Sequence, residues 1–163
     1  MKSRIAASVL AAGLLLGLSG CGMVTPVATN ISYNASDGIS VTLGDVALRN
    51  VFVVTGQTAS TANNGHLVLT AFNNGLEDAR VQVQYLSNGS KQNVYIDVPA
   101  RSHVALGVND VAPILLTGID SPAGSMMSIT FQSGSAETQT VLVPVLDTTM
   151  EVYQDLGPSG SAS

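Results

Sequence analysis

The chain has no tryptophan, three phenylalanines and one cysteine in 163 residues, and only 10% of its side chains are charged. Each scarcity excludes something. A single thiol rules out an internal disulfide, so no covalent cross-link braces the fold. With few aromatics, the core falls to Val, Ile and Leu, residues that suit pleated surfaces. Six basic side chains against eleven acidic ones give a net charge of −5. That balance argues against nucleic acid as a partner and against polybasic adhesion to anionic headgroups. No segment after the first twenty residues carries a sustained apolar stripe at a spacing of 3.6, so little helix is expected. No repeat has solenoid or propeller spacing. No glycine-rich loop leads into a helix, which removes a phosphate cradle.

The start of the chain is built differently. Lys2 and Arg4 form a positive stretch, and residues 5–18 carry no charge. A basic start, a short apolar run and small residues behind it predict a secretory signal peptide over 1–20. The run is fourteen residues, too short for a hydrocarbon core that needs roughly twenty. Behind it stand Leu18, Ser19, Gly20 and Cys21, which resemble the lipobox of bacterial lipoproteins. The resemblance implies that the Cys21 thiol takes a diacylglyceryl group and that a signal peptidase cuts between Gly20 and Cys21. Ser19 and Gly20 are small enough for a protease groove, and Cys21 is the one thiol available for the lipid. The alternative, a buried cysteine in an N-terminal helix, leaves the order of these four residues without a reason.

Cleavage there leaves 143 residues, enough for one domain with a proper core. Lys2 and Arg4 leave with the signal, so four basic and eleven acidic side chains remain, a net charge of −7. Anchoring is then left to two or three acyl chains, palmitate among them, at about 0.8 kcal/mol per buried methylene. The expected location is the extracytoplasmic face of the cell membrane.

Residues 22–37, "GMVTPVATNISYNASD", are small, polar and aperiodic, and read as a lipidated tether beginning at Cys21. Residues 157–163, "GPSGSAS", read as a disordered tail. Over 38–156 the dominant period is two. In "ARVQVQYL", Val81, Val83 and Tyr85 share one face while Gln82 and Gln84 take the other. "NVYIDV" sends Val94, Ile96 and Val98 one way, and "MMSITFQ" groups Met127, Ile129 and Phe131. "HLVLTAF" alternates with both faces apolar, and "SHVALGV" and "TVLVPV" continue the pattern. Such alternation marks half-buried strands, and "TANNG", "NNGLED", "SNGS", "SPAGS" and "SGSAE" supply the turns between them. Eight or nine short antiparallel strands predict an all-β sandwich or barrel. In "VAPILLTGI", Pro113 starts either an edge strand or a short helical turn.

Candidates for chemistry are few. A soft-metal site needs several nitrogen or sulfur ligands at one point. The chain offers only His66, His103, Met126, Met127 and Met150 beyond Cys21. His66 and His103 each fall at a strand entry and read more simply as polar residues there. Met126 and Met127 are neighbours on a strand and must face opposite sides, so at least one fills the core. His66, His103, Met126 and Met150 stay as weak metal candidates, and no cofactor is expected. Nucleophilic hydrolysis lacks a G-x-S-x-G elbow, and neither histidine sits in a recognisable catalytic segment. Glu77 and Asp78, inside "NNGLEDAR", read as a solvated turn. Asn30, Asn34 and Asn88 each open an N-x-S triplet, an acceptor pattern that a bacterial lipidation signal leaves unused.

From Gly38 to about Leu146 the order of segments resembles the PCu(A)C-type copper chaperones and related actinobacterial lipoproteins. The matching pieces are "GDVALRNVFV", "GHLVLTAFNNGLEDARVQVQ", "IDVPARSHVALG", "LLTGIDSPAGSMMSITFQSG" and "TVLVPV". The resemblance implies an immunoglobulin- or cupredoxin-like sandwich. It also implies where copper ligands belong: a histidine and a methionine after the second hairpin strand, then His-x-Met before an apolar segment. Here the first place is "LSNGSKQ" and the second falls on Pro113, Ile114 and Leu115, none of which binds Cu(I). The expectation is a non-catalytic surface module that binds an envelope protein or ligand. A copper chaperone is the second reading and an envelope enzyme the third.

Overall fold

The computed structural model describes residues 36–56, 63–108 and 111–158. Cys21, Gly20, the signal segment and most of the tether lie outside the described residues, as do residues 159–163 of the tail. Nine strands follow in order: β1 (Ile39–Leu43), β2 (Val46–Thr55), β3 (Asn64–Asn73), β4 (Ala79–Ser87) and β5 (Ser90–Val98), then β6 (His103–Leu106), β7 (Ile114–Thr117), β8 (Met126–Ser133) and β9 (Gln139–Leu146). A 3-10 helix over Glu151–Leu156 closes the domain. The fold is all-β, as the period of two predicts.

One sheet has the order β5-β4-β8-β9, and the other is β1-β2-β3 with β6 and β7 end to end along the far side of β3. Every pairing is antiparallel except one. Val53 and Val54 of β2 pair in parallel with Val145 and Leu146 of β9, which joins the sheets into one curled layer. Between the faces lies an aliphatic core. Leu48, Val53, Leu67, Val81, Ile129, Phe131 and Val143 are fully buried, each contributing about 1.5–3 kcal/mol by leaving water. The inward sets expected for β4 and β8 are the buried ones, and Met127 is buried while Met126 is exposed. Pro113 leads into β7, an edge strand of four residues.

Local sequence explains the turns. β4 and β5 are joined by Asn88 and Gly89, both at positive φ (48° and 76°). This is the type I′ geometry that Asn-Gly favours, because its twist matches that of the flanking strands. β1, "ISVTL", has no counterpart among the segments read from the sequence; it buries only Val41 and Leu43, with Ile39 partly buried against the same core.

β2 departs from simple alternation. Its inward residues are Val46 and Leu48 before Asn50, but Val51 and Val53 after it. Asn50 has a φ of 51°, and the register with β3 shifts between Arg49 and Phe52. A bulge has therefore inserted one residue and reversed which face each side chain takes. Beyond it, Phe52 and Val54 point away from the main core, yet both are buried. They form a second cluster with Val68 of β3 and Tyr153 of the 3-10 helix. That cover explains why "HLVLTAF" of β3 reads as apolar on both faces.

The bulge also sets a requirement on the chain ahead of β1. The Gly38 N–H donates to Asn50 Oδ1 at 3.1 Å. A Cβ on Gly38 would lie 2.4 Å from the Asn50 carbonyl carbon and 2.6 Å from the Val51 nitrogen. Both obstacles are backbone, so a side chain cannot be accommodated by rotamer changes. Gly38→Ala is expected to cost about 1–3 kcal/mol of stability, read as a lowered urea midpoint of the purified protein. An unchanged midpoint would contradict this packing.

Candidate functional site

The four metal candidates are scattered. His66, half-buried on β3, has its Nδ1 2.8 Å from the Leu156 carbonyl oxygen, where an Nδ1–H donates and fastens the end of the 3-10 helix. His103 opens β6, exposed, with its ring stacked on Phe72 at 5.5 Å and 26°. Since His103 pairs with Phe72 and His66 stands six positions earlier on β3, the two rings are about 20 Å apart at strand spacing. Met126 is exposed on β8 of the other sheet, opposite Pro144. Met150 is exposed just before the helix. Among the described residues, no group of three or more His, Cys, Asp or Glu side chains is placed to hold a metal ion.

Of the two stretches where the family resemblance places ligands, the first folds against residues just past the second. "LSNGSKQ" is the end of β4, the Asn88-Gly89 turn and the start of β5. The turn folds onto the end of β7: the Asn88 N–H donates to the Gly118 carbonyl at 2.8 Å. Beside it, the Thr117 N–H donates to the Tyr85 hydroxyl at 3.2 Å. The contacts are therefore backbone and phenol. Leu115 lies further up β7, 48% exposed and opposite His66.

Two clefts mark the ends of the sandwich. One, of about 460 Å³, lies beside Thr55, Ile119, Asp120 and Asp147. The Thr149 hydroxyl, and then its backbone N–H, hold the Asp147 carboxyl below its ordinary range. The other, of about 810 Å³, lies between the β1–β2 turn, the loop after β3 and the β8–β9 turn. Glu77 and Asp78 border it and are exposed, as a solvated turn requires. Asp78 Oδ1 accepts the Ala100 N–H at 2.9 Å, which makes its role structural. Under that loop sits buried Asn73, whose Nδ2 donates to the carbonyls of Glu77 (2.8 Å) and Val98 (3.1 Å). Sequence alone marks only a turn there; the "NNG" pattern is the signal of the buried Asn, since an Asn side chain readily bonds backbone two residues on, as Asn73 Oδ1 does with the Gly75 N–H.

Charge is distributed unevenly. Asp97 is the one carboxylate in any of the nine strands, and Arg80 across the β4–β5 pair holds it at 2.6 Å. That contact holds Asp97 below its ordinary range and Arg80 above. The same outer face carries exposed Lys91, Leu86, Tyr95, Met126 and Leu142 among amides and hydroxyls. Gln82 and Gln84 both donate to Asn93 Oδ1, and the Thr130 and Thr140 hydroxyls meet at 2.8 Å.

No protein-family model matches the chain. It is similar to a protein of Leifsonia xyli subsp. xyli (strain CTCB07) named "Putative lipoprotein Lxx21020". The two are 28% identical over 165 residues, 89% of this chain and 92% of the other. In fold it is similar to the apo PCuAC domain from PmoF1, with a TM-score of 0.53 at 13% identity, over 66% of this chain and 98% of that domain. It is likewise similar to the apo PmoF2 PCuAC domain, with a TM-score of 0.50 at 15% identity, over 69% and 98%. At these identities the structural likeness defines the class of fold, the PCuAC-like β-sandwich. Among the described residues, no helix is long and apolar enough to cross a membrane.

Tyr153 is the most perturbed group. Burial, then a hydrogen bond from its hydroxyl to Asp37, then that carboxylate's charge, push its pKa up to about 12. The folded state therefore favours the neutral phenol. The stabilisation this provides is complete below the unfolded value near 10 and is lost as pH rises toward 12. A phenolate absorbance titration should show one tyrosine ionising last, near pH 12. Tyr153→Phe should delete that step; its persistence in the variant would place the late tyrosine elsewhere.

Proposed function

We propose that this protein is a lipid-anchored, non-catalytic binding module on the extracytoplasmic face of the cell envelope. It keeps the scaffold of a copper-chaperone domain without the copper site. One observation carries the second half of this reading. The stretches aligned with the family's ligands are occupied by the Asn88-Gly89 turn packed on Gly118 and by Pro113, Ile114 and Leu115, none of them a soft donor. Cu(I) needs several thioether or imidazole ligands together, and the two histidines of the domain stand far apart on one sheet. The first half is supported by the lipobox at Leu18, Ser19, Gly20 and Cys21 and by similarity to a protein bearing a lipoprotein name. The likeness to PCuAC domains supports an accessory or copper-binding role in general, and the missing donors favour the accessory one. The binding partner is a component of the envelope, and the acidic surface disfavours nucleic acid.

Two experiments test the halves separately. Metabolic labelling with a fatty-acid analogue should mark the wild-type protein and miss Cys21→Ser, which should also leave the membrane fraction. Equal labelling of both would refute the anchor. In a competition titration, the purified protein should surrender Cu(I) to a moderate chelator, and His103→Ala should leave cellular copper tolerance unchanged. Retention of one equivalent of Cu(I) against a strong competitor would restore the copper-chaperone reading.

A further inference from the structure

β5 ends its sheet, and among the described residues no strand pairs with its outer side. The other marginal strands are blunted in ways that discourage pairing: β6 and β7 have four residues each, and β1 has five with a register shift. β5 has none of these protections. It runs for nine residues, contains no proline, and keeps unbroken register with β4 from Ser90 to Val98.

The direction of its free backbone groups follows from the turn. In a type I′ turn the Ser90 N–H points to the Ser87 carbonyl, so Ser90, Gln92, Val94, Ile96 and Val98 bond toward β4. Lys91, Asn93, Tyr95 and Asp97 then direct their N–H and C=O groups outward, because antiparallel strands alternate residue by residue. We propose that these groups pair with a second copy of the same strand, forming a symmetric dimer about a two-fold axis at Val94.

Three features select this occupant and this register. Val94 is the midpoint of Ser90–Val98, so an axis there overlaps all nine residues and puts each outward residue opposite another outward one. That arrangement makes about eight backbone hydrogen bonds. It also sets Lys91 of one copy opposite Asp97 of the other, twice by symmetry. Lys91 is the only lysine in the domain, and Asp97 is the only carboxylate in any strand. The Asp97 carboxylate, with its several lone pairs, can hold Arg80 of its own chain and Lys91 of the second. Moving the axis to Asn93 or Tyr95 loses both the overlap and the charge match, leaving Lys91 opposite Tyr95 or Pro99. The self-complementary charges distinguish a second copy from a foreign strand. The inference is independent of the lipid anchor.

The test uses the full-length protein in detergent. Val94→Cys places two thiols at a pair without backbone hydrogen bonds, where Cα atoms are about 4.5 Å apart, within disulfide range. Mild oxidation should give a disulfide-linked dimer, while the wild type, carrying only Cys21, and Gln132→Cys on β8 should not. Lys91→Glu in the Val94→Cys background should reduce the dimer about tenfold, since like charges then oppose each other at two places. Lys91→Glu with Asp97→Lys should restore it. If Val94→Cys does not fold, sedimentation of the wild type should show a dimer that Lys91→Glu shifts toward monomer. A wild type that stays monomeric at tens of micromolar, cross-linking indifferent to Lys91→Glu, or cross-linking only to another protein would overturn the proposal. A monomer would instead mark Lys91 as a charge that guards the edge.

Discussion

Two residue pairs, Val53 with Val145 and Val54 with Leu146, hold the two sheets in one piece of hydrogen-bonded structure. β2 has a single edge on that side, shared by two partners: β1 along Val46 to Val51 and β9 at Val53 and Val54. A straight strand could not serve both. The bulge at Asn50 bends β2 away from β1 and turns it toward β9, and Thr55 adds a hydroxyl bond to the Leu146 carbonyl at 3.3 Å. Closure of the aliphatic core therefore depends on one residue in a left-handed conformation, which Asn tolerates better than most.

The same bulge makes the domain thicker than a two-layer sandwich. By reversing the faces of β2, it puts Phe52 and Val54 on the outside of the sheet, where they need cover. The 3-10 helix provides it: Tyr153 meets Phe52 edge to face at 5.5 Å between ring centroids. His66 secures the helix end through the Leu156 carbonyl. One of the two histidines that chemistry would single out is thus part of the clasp, with one ring nitrogen committed to backbone.

What the sequence revealed follows the reach of each interaction. β4 and β8 were legible because alternation over eight or nine residues depends only on near neighbours, and Val81, Val83, Ile129 and Phe131 all take the expected side. Asn-Gly at 88 and 89 was legible because its backbone preference is intrinsic. β2 was legible as a strand only through the family resemblance, in "GDVALRNVFV"; its faces were not, since a bulge breaks the period at Asn50 and helix cover fills the outer face. The 3-10 helix was hidden for a similar reason: "EVYQDL" has too few turns for a stripe, and Tyr153 declares itself only against Phe52. For the candidate site, the lack of donors at 86–92 and 113–115 was readable directly. The bond joining Asn88 to Gly118 was not, being a contact thirty residues apart in the chain that only the fold creates.

The position of Asp37 has a mechanical meaning. It is the residue at which any pull along the preceding chain enters the domain, and the Tyr153 hydroxyl binds it. Gly38 beside it is bonded to Asn50. A load arriving there meets one contact to the last element, through Tyr153, and one to the second strand, through Asn50, before it reaches the first rung of the β1–β2 ladder. Force is thereby shared between the two termini, and β1, a short edge strand easily peeled from its neighbour, is spared from bearing it alone.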